Sequence, residues 1–338
     1  MDDMSQKLNH MRIGIVSDEL TSSSLIDEGV SNFIAPRLIP FPLSLQINRP
    51  DILFVESAWQ GHKNRWKFKI ANYPDHPKRN NKQLVALVNK AKDLGIPTVF
   101  WNKEDGVHFD RFIDSAKHFD HIFTVDENCI PRYREIVPAT TTVDVLPFPV
   151  QPKFHHFQEW RGDKQRANFV GSYSHHIHDE RRARQDFLLK AANDVLGLDV
   201  YDRNSDRNPD HYRFPSWDNT QIKPSVSYPE TAGIYHNSLV SLNVNTVTDS
   251  PTMYSRRLVE IIACGGIAVT TPALSVDKLF SDYCYVVDSY EESVELFSRL
   301  KHGPSKEDLE RAKVGADYVA REHTWEKRLA TIRDVVGI

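Results

Sequence analysis

The segment Ser250–Gly265, SPTMYSRRLVEIIACG, holds the residues best suited to chemistry. Asp249 or Ser250 can cap a helix with Pro251 at its first position, and the unpaired N–H groups of such a start attract phosphate. Thr252, Met253, Tyr254 and Ser255 would line that start. Arg256 and Arg257 fall in its first two turns, where planar guanidinium groups clamp a diphosphate. Glu260, one turn beyond Arg256, can accept hydrogen bonds from the paired hydroxyls of a ribose. The competing account is an ordinary capped helix with two solvated arginines.

Such residues need a scaffold, and the patterning supplies one. Apolar runs of strand length recur at 12–17, 51–56, 96–102, 121–125 and 142–147, and again near 167–171, 198–201, 239–245, 267–270 and 285–287. Between them lie helical patterns, such as 83–94 with apolar positions at Leu84, Leu87, Val88 and Ala91. Strands alternating with helices imply βαβ units and a parallel sheet. The Pro-rich stretch 147–164 marks a domain connection, and the polar stretch 202–226 reads as a functional loop. The expected fold is therefore α/β, two Rossmann-like doubly wound domains facing each other across a cleft, over residues 11–150 and 165–322. Residues 323–338 form a last helix whose apolar Leu329, Ile332, Val335 and Val336 need a partner surface.

Composition narrows the function classes. In 338 residues, 42 Lys and Arg stand against 46 Asp and Glu, a balance that argues against a nucleic-acid partner. No apolar run approaches the length of a membrane span, and the polar start MDDMSQKLNH lacks the apolar core of a signal peptide. Three scattered cysteines, Cys129, Cys264 and Cys284, suggest a reducing compartment and a cytoplasmic protein. Neither GxxxxGK[ST] nor GxGxxG nor GxSxG occurs, which weakens kinase, dinucleotide-oxidoreductase and serine-hydrolase readings. His175, His176 and His178 invite a zinc hypothesis, but their spacing fits solvated or phosphate-facing loop histidines better, so no metal is expected. The run ERRAR (180–184) reads as a solvated helix face that can also reach an anion.

The stretch EIIACGGIAVTTP (260–272) resembles the donor-site signature of GT-B glycosyltransferases. NVN followed by DSPTMYSRR and Glu260 resembles their bacterial CgeB-type branch, as do ESAWQG (56–61), IPTVFWNKED (96–105), VHFDRFI (107–113), FVGSY (169–173), DVYDRN (199–204) and HTWEKR (323–328). The resemblance spans roughly residues 50–330. It implies a transferase that moves a sugar from a nucleotide-sugar donor, without a further cofactor or metal, to a glycan or other hydroxyl acceptor in bacterial surface polysaccharide or glycoconjugate synthesis. On this reading, the second domain takes the donor. Gly171 and Ser172 would let backbone approach the diphosphate, Tyr201, Asp202 and Arg203 would edge the same crevice, and Glu260 would hold the ribose. The first domain takes the acceptor, with Asp105 or Glu56 as base, Glu104 and His108 beside them, and Trp59 and Trp101 as sugar-stacking candidates. Each of these also has an ordinary account as a cap, ion pair or core residue. Where many retaining members carry a second Glu, this chain has Thr252, so the stereochemical outcome stays open. A nucleotide-sugar 2-epimerase and a noncatalytic assembly or coat protein are the alternatives. The resemblance further implies that the last helix crosses back to the first domain, making two crossings in all.

Overall fold

A computed structural model describes residues 11–27, 31–33, 41–207 and 210–338. The chain's polar start, read above as no signal peptide, lies outside them. Among the described residues no helix is long and apolar enough to cross a membrane. Two units form: one from the chain up to Gln151 with Ser250–Met253 and Trp325–Ile338, the other from Pro152–Asp249 with Tyr254–Thr324.

In the first unit the apolar runs become strands β1 (Arg12–Val16), β2 (Ser31–Phe33), β3 (Ile52–Glu56), β4 (Thr98–Asn102), β5 (His121–Thr124) and β6 (Thr142–Val145). They pair in parallel in the order β2-β1-β3-β4-β5-β6. β3 and β4 are buried along their whole length, as strands covered on both faces must be. Side chains alternate between two cores: Leu53, Val55, Phe100 and Ile122 enter one, and Ile52, Phe54, Val99 and Trp101 the other. The helices are α1 (Glu19–Asp27), α2 (Phe41–Asn48), α3 (Lys82–Asp93), α4 (Phe109–Ala116) and α5 (Ile130–Arg134). The four apolar positions of α3 noted in the sequence are its buried face.

The second unit repeats the plan with β7 (Lys164–Gly171), α6 (Asp179–Val195), β8 (Leu198–Asp202), β9 (Thr220–Lys223), α7 (Glu230–Asn237), β10 (Ser238–Asn243), α8 (Arg256–Ala263), β11 (Ala268–Thr270), α9 (Leu274–Leu279), β12 (Tyr285–Val286), α10 (Tyr290–Leu300) and α11 (Lys306–Glu322). Its parallel order is β12-β11-β10-β7-β8-β9. The stretch 202–226 is thus not wholly a loop: its polar TQIK forms edge strand β9, paired to β8.

Helix α8 starts at Arg256, not at Pro251. The Ser250 hydroxyl accepts from the N–H groups of Thr252 (3.3 Å) and Met253 (2.9 Å), which turns the chain before a helix can begin. Thr252 then donates to the Val125 carbonyl at 3.0 Å and accepts from Glu127 N–H at 2.9 Å. Residues 250–253 therefore belong with the first unit, and the chain passes between units four times rather than twice.

Helix α12 (Trp325–Val336) also belongs to the first unit. Trp325, Leu329 and Ile332 join the core of Trp101 and Phe54, with the Trp325 and Trp101 rings edge-to-face at 5.5 Å. Trp325 N–H donates to Val150 O, and Arg328 Nε to Pro147 O. Replacing Trp325 by Ala should cost roughly 3–5 kcal/mol of first-unit stability by leaving a cavity. Equilibrium urea unfolding measures this directly, and a midpoint equal to wild type would show that α12 is dispensable.

Candidate functional site

Open parallel sheets bind ligands at the carboxyl ends of their strands, where the strand order reverses. In the second unit that point lies between β7 and β10. The Arg257 guanidinium occupies it. Nε donates to Val170 O at 2.5 Å, Nη1 reaches Asn243 Oδ1 at 3.3 Å, and the group lies 4.3 Å from the Phe169 ring centroid. Gly171 makes this possible, because a Cβ there would meet Arg257 Nη2 at 2.7 Å and the Phe169 ring at 2.8 Å. The glycine's lack of a side chain thus serves the arginine.

Burial, followed by the like charge of Arg203, pushes the Arg257 pKa down to about 10, against the pull of Tyr235 and Glu260. Arg181, in the first turn of α6, is pushed down to about 10 as well, by burial and then by Arg257, Arg203 and Arg184. Its Nη1 bonds Gln185 at 2.7 Å. Guanidinium groups do not give up their protons near neutral pH, so two cations stay partly desolvated beside like charges. An anion would offset both penalties. Arg181 lies in the run ERRAR, which looks like a solvated face. Only the fold brings it beside Arg257 and Arg203 and buries it in part.

Glu260 sits one turn along α8, 5% exposed. Burial raises its pKa to about 7 even though Arg256, Arg257 and Arg203 pull it down. The Tyr228 hydroxyl leans toward the same carboxylate without reaching hydrogen-bond geometry with any group. His155, beside Tyr228 and Tyr235, bonds Thr231 through Nε2, and burial holds it neutral with a pKa near 3. The sequence had singled out none of Tyr228, Tyr235 and His155.

The other expected donor residues divide. Ser172 is half-buried beside Gly171, and its carbonyl accepts from Gln185. Arg203 N–H bonds Gly171 O at 2.8 Å, tying the ends of β7 and β8. Tyr201 packs under Lys223, whose Nζ lies 5.2 Å from its ring. The buried Asp202 carboxylate accepts from Asn204 N–H, and burial raises its pKa, so it shapes the turn. Thr252 and Met253 fall in the first unit, Thr252 with its hydroxyl engaged and Met253 against the Trp325 core. Tyr254 is buried against Phe280 with its hydroxyl on His323 Nδ1. Ser255 is the N-cap of α8 but makes no side-chain cap bond. These four do not form the expected helix start.

In the first unit the strand order reverses between β1 and β3, and Glu56 ends β3 there. It is fully buried. Oε1 accepts from Asp18 N–H at 2.7 Å and Lys103 Nζ at 3.0 Å, while Oε2 has no partner among the described residues. Asp105 is also fully buried, but Asn102 and Tyr133 occupy its two oxygens at 2.6 and 2.8 Å. Burial lifts its pKa to about 7. Both of its oxygens are thus engaged, and the carboxylate braces the β4–α4 turn. His108 is half-buried, its pKa lowered by burial, and its ring lies against Trp59. Glu104 supplies the carbonyl that His108 N–H bonds. Trp101 is a core residue, Nε1 on Leu146 O, and stacks on no sugar. In the His175–His178 cluster, His175 Nε2 meets Arg213 O and His176 Nδ1 meets Ser174 Oγ. Among the described residues no group of three or more His, Cys, Asp or Glu is placed to hold a metal ion.

Residues 181–334, a little under half of the chain, match a family described as glycosyl transferase-like. No curated protein matches the chain. Among solved structures it is similar to HepE from Anabaena in complex with UDP and glucose, with TM-score 0.59 and 9% identity over 99% of this chain and 94% of that one. A DNA-modifying beta-glucosyltransferase, solved with and without uridine diphosphoglucose, gives TM-score 0.58 and 11% identity over 97% and 100%. Sucrose-phosphate synthase from Thermosynechococcus elongatus gives 0.53 and 11% over 96% and 98%. The two parallel-sheet α/β units thus have the GT-B fold.

The Glu260 shift has a sign that can be measured. Its folded pKa, about 7, lies above the ordinary 4.5, so the folded state is favoured while the group is protonated. That advantage is complete below pH 4.5 and lost as pH rises through 7. Between pH 4.5 and 8, the stability of Glu260→Gln relative to wild type should therefore improve by up to about 3 kcal/mol. Parallel stability curves of the two proteins across that range would show Glu260 to be solvated.

Proposed function

We propose that the chain is a glycosyltransferase, with a nucleotide-sugar donor held by the second unit and a hydroxyl acceptor by the first. The observation that carries this reading is the gathering of Arg203, Arg256 and Arg257 around one carboxylate, Glu260, at the switch point of the second sheet, with Arg181 beside Arg257 and Arg203. A donor diphosphate supplies the negative charge that this cluster lacks, and the ribose hydroxyls donate to ionised Glu260.

Glycosyl transfer breaks the bond between the sugar's anomeric carbon and the terminal phosphate oxygen. Negative charge grows on that oxygen, and pre-placed guanidinium groups in a dry site stabilise it without reorganising. No metal or other cofactor has a part in this reading. An acceptor hydroxyl must lose a proton as it attacks, and Glu56, whose buried Oε2 has no partner among the described residues, suits that role better than Asp105, whose two oxygens are both engaged. The finer placement as a CgeB-type enzyme of bacterial surface-glycan synthesis rests on the sequence resemblance, and the cytoplasmic one on the scattered cysteines.

UDP-glucose is the first donor to try, since the HepE structure holds UDP and glucose. Incubation with nucleotide sugars should release nucleoside diphosphate, faster with an acceptor, and EDTA should not slow it. Epimerised donor in the absence of acceptor would indicate an isomerase instead. Failure to bind any nucleotide would indicate an assembly protein. Glu260→Ala should weaken donor binding about ten- to a hundredfold in a folded protein. Wild-type affinity for UDP-glucose, whose phosphates do not titrate near neutrality, should fall by up to about tenfold per pH unit below 7. Glu260→Gln should remove that dependence, and a Gln variant with the same pH profile would take Glu260 out of the site.

A further inference from the structure

The first unit has a second opening, at the end of its sheet opposite to Glu56. A cavity of about 630 Å³ lies where Met11 precedes β1, Asp51 precedes β3 and Ile96 precedes β4, with Arg333 of α12 on its wall. Met11, Leu94 and Ile96 make it largely apolar, and Arg49 and Arg333 bring positive charge. The Asp51 carboxylate is engaged on the N–H of Arg12 at 2.7 Å.

Arg333 is the telling residue. Its Nε and Nη2 both donate to Asp334 Oδ1, at 3.1 and 2.9 Å. Its Nη1 is buried and has no partner among the described residues. A buried donor left unsatisfied is unfavourable, and a charged one more so. Here the orphan belongs to a cation on the wall of a cavity large enough for a small molecule. A neutral apolar guest would fill the space and leave Nη1 unmet. A hydrated anion would satisfy Nη1 and waste the apolar walls.

We propose that this cavity is a ligand site, separate from the donor site, for a small amphiphilic anion. Its apolar chain or ring lies against Met11, Leu94 and Ile96, its carboxylate or phosphate accepts from Arg333 Nη1, and Arg49 adds attraction. The inference does not depend on the glycosyltransferase reading, because every residue it uses belongs to the first unit and the arginine cluster to the second.

Decanoate is the test ligand, titrated calorimetrically into the full chain beside 1-decanol and inorganic phosphate. Decanoate should bind saturably at one site, and the other two at least tenfold more weakly, since each offers half of the chemistry. Arg333→Gln should weaken decanoate at least tenfold and Arg49→Gln about threefold, while both variants keep the near-ultraviolet circular dichroism of wild type. The same spectrum shows that the variants are folded. No saturable decanoate binding, decanol binding as tightly as decanoate, or an unchanged Arg333→Gln would each overturn the proposal. Sedimentation with phosphatidylglycerol vesicles distinguishes the source of the anion. The chain should stay in the supernatant, and co-sedimentation abolished by Arg333→Gln would assign the arginine to a lipid surface instead.

Discussion

The second unit is organised around a cation held where its two central strands diverge. Arg257 bonds Val170 O at the end of β7 and Asn243 at the end of β10, and it lies against the Phe169 ring. Its position explains Gly171, which leaves room for it, and its charge adds to the burial that depresses the pKa of Arg181. It also keeps the pKa of Glu260 lower than burial alone would set it. A guanidinium anchored by backbone and amide oxygens keeps its full charge, since those partners are neutral. The site is therefore pre-organised for an anion and does not have to be rebuilt to receive one.

The switch point of the first unit has the opposite character. There Glu56 is anchored through one oxygen by Asp18 N–H and Lys103, and the other oxygen has no partner among the described residues. The same sheet plan thus presents cationic donors in one unit and an acceptor oxygen in the other. Fold alone does not dictate which chemistry a switch point carries. The residues that close each strand decide it.

Much of this was legible in the sequence because burial on both faces leaves unbroken apolar runs. β1, β3, β4, β5 and β10 fall where their runs predict. The edge strands β2 and β9 do not announce themselves, since SNF and TQIK are short and polar, and only pairing with β1 and β8 makes them strands. The start of α8 was misplaced by five residues. Pro251 looks like a first helical residue, but the Ser250 hydroxyl captures the N–H groups of Thr252 and Met253 before any helix can use them. Arg256, Arg257 and Glu260 keep their helical spacing from the later start, so they were found together. Within the run ERRAR, which the sequence already marks as able to reach an anion, Arg181 does not stand out, because its burial depends on packing across 76 positions of chain to Arg257. Asp105 shows the reverse error: a carboxylate after a strand end looks catalytic, yet Asn102 and Tyr133 enclose it.

The central claim is that the arginine cluster exists to bind a diphosphate. Comparing the affinities of UDP and uridine in the same buffer tests it most directly, because the two ligands share the nucleoside and differ by the diphosphate the cluster would meet. At roughly 1.5–3 kcal/mol for each charged hydrogen bond, two such bonds predict UDP tighter by at least about a hundredfold. The gap should narrow as salt screens the charges. Equal affinities for UDP and uridine, or a gap indifferent to salt, would contradict the account.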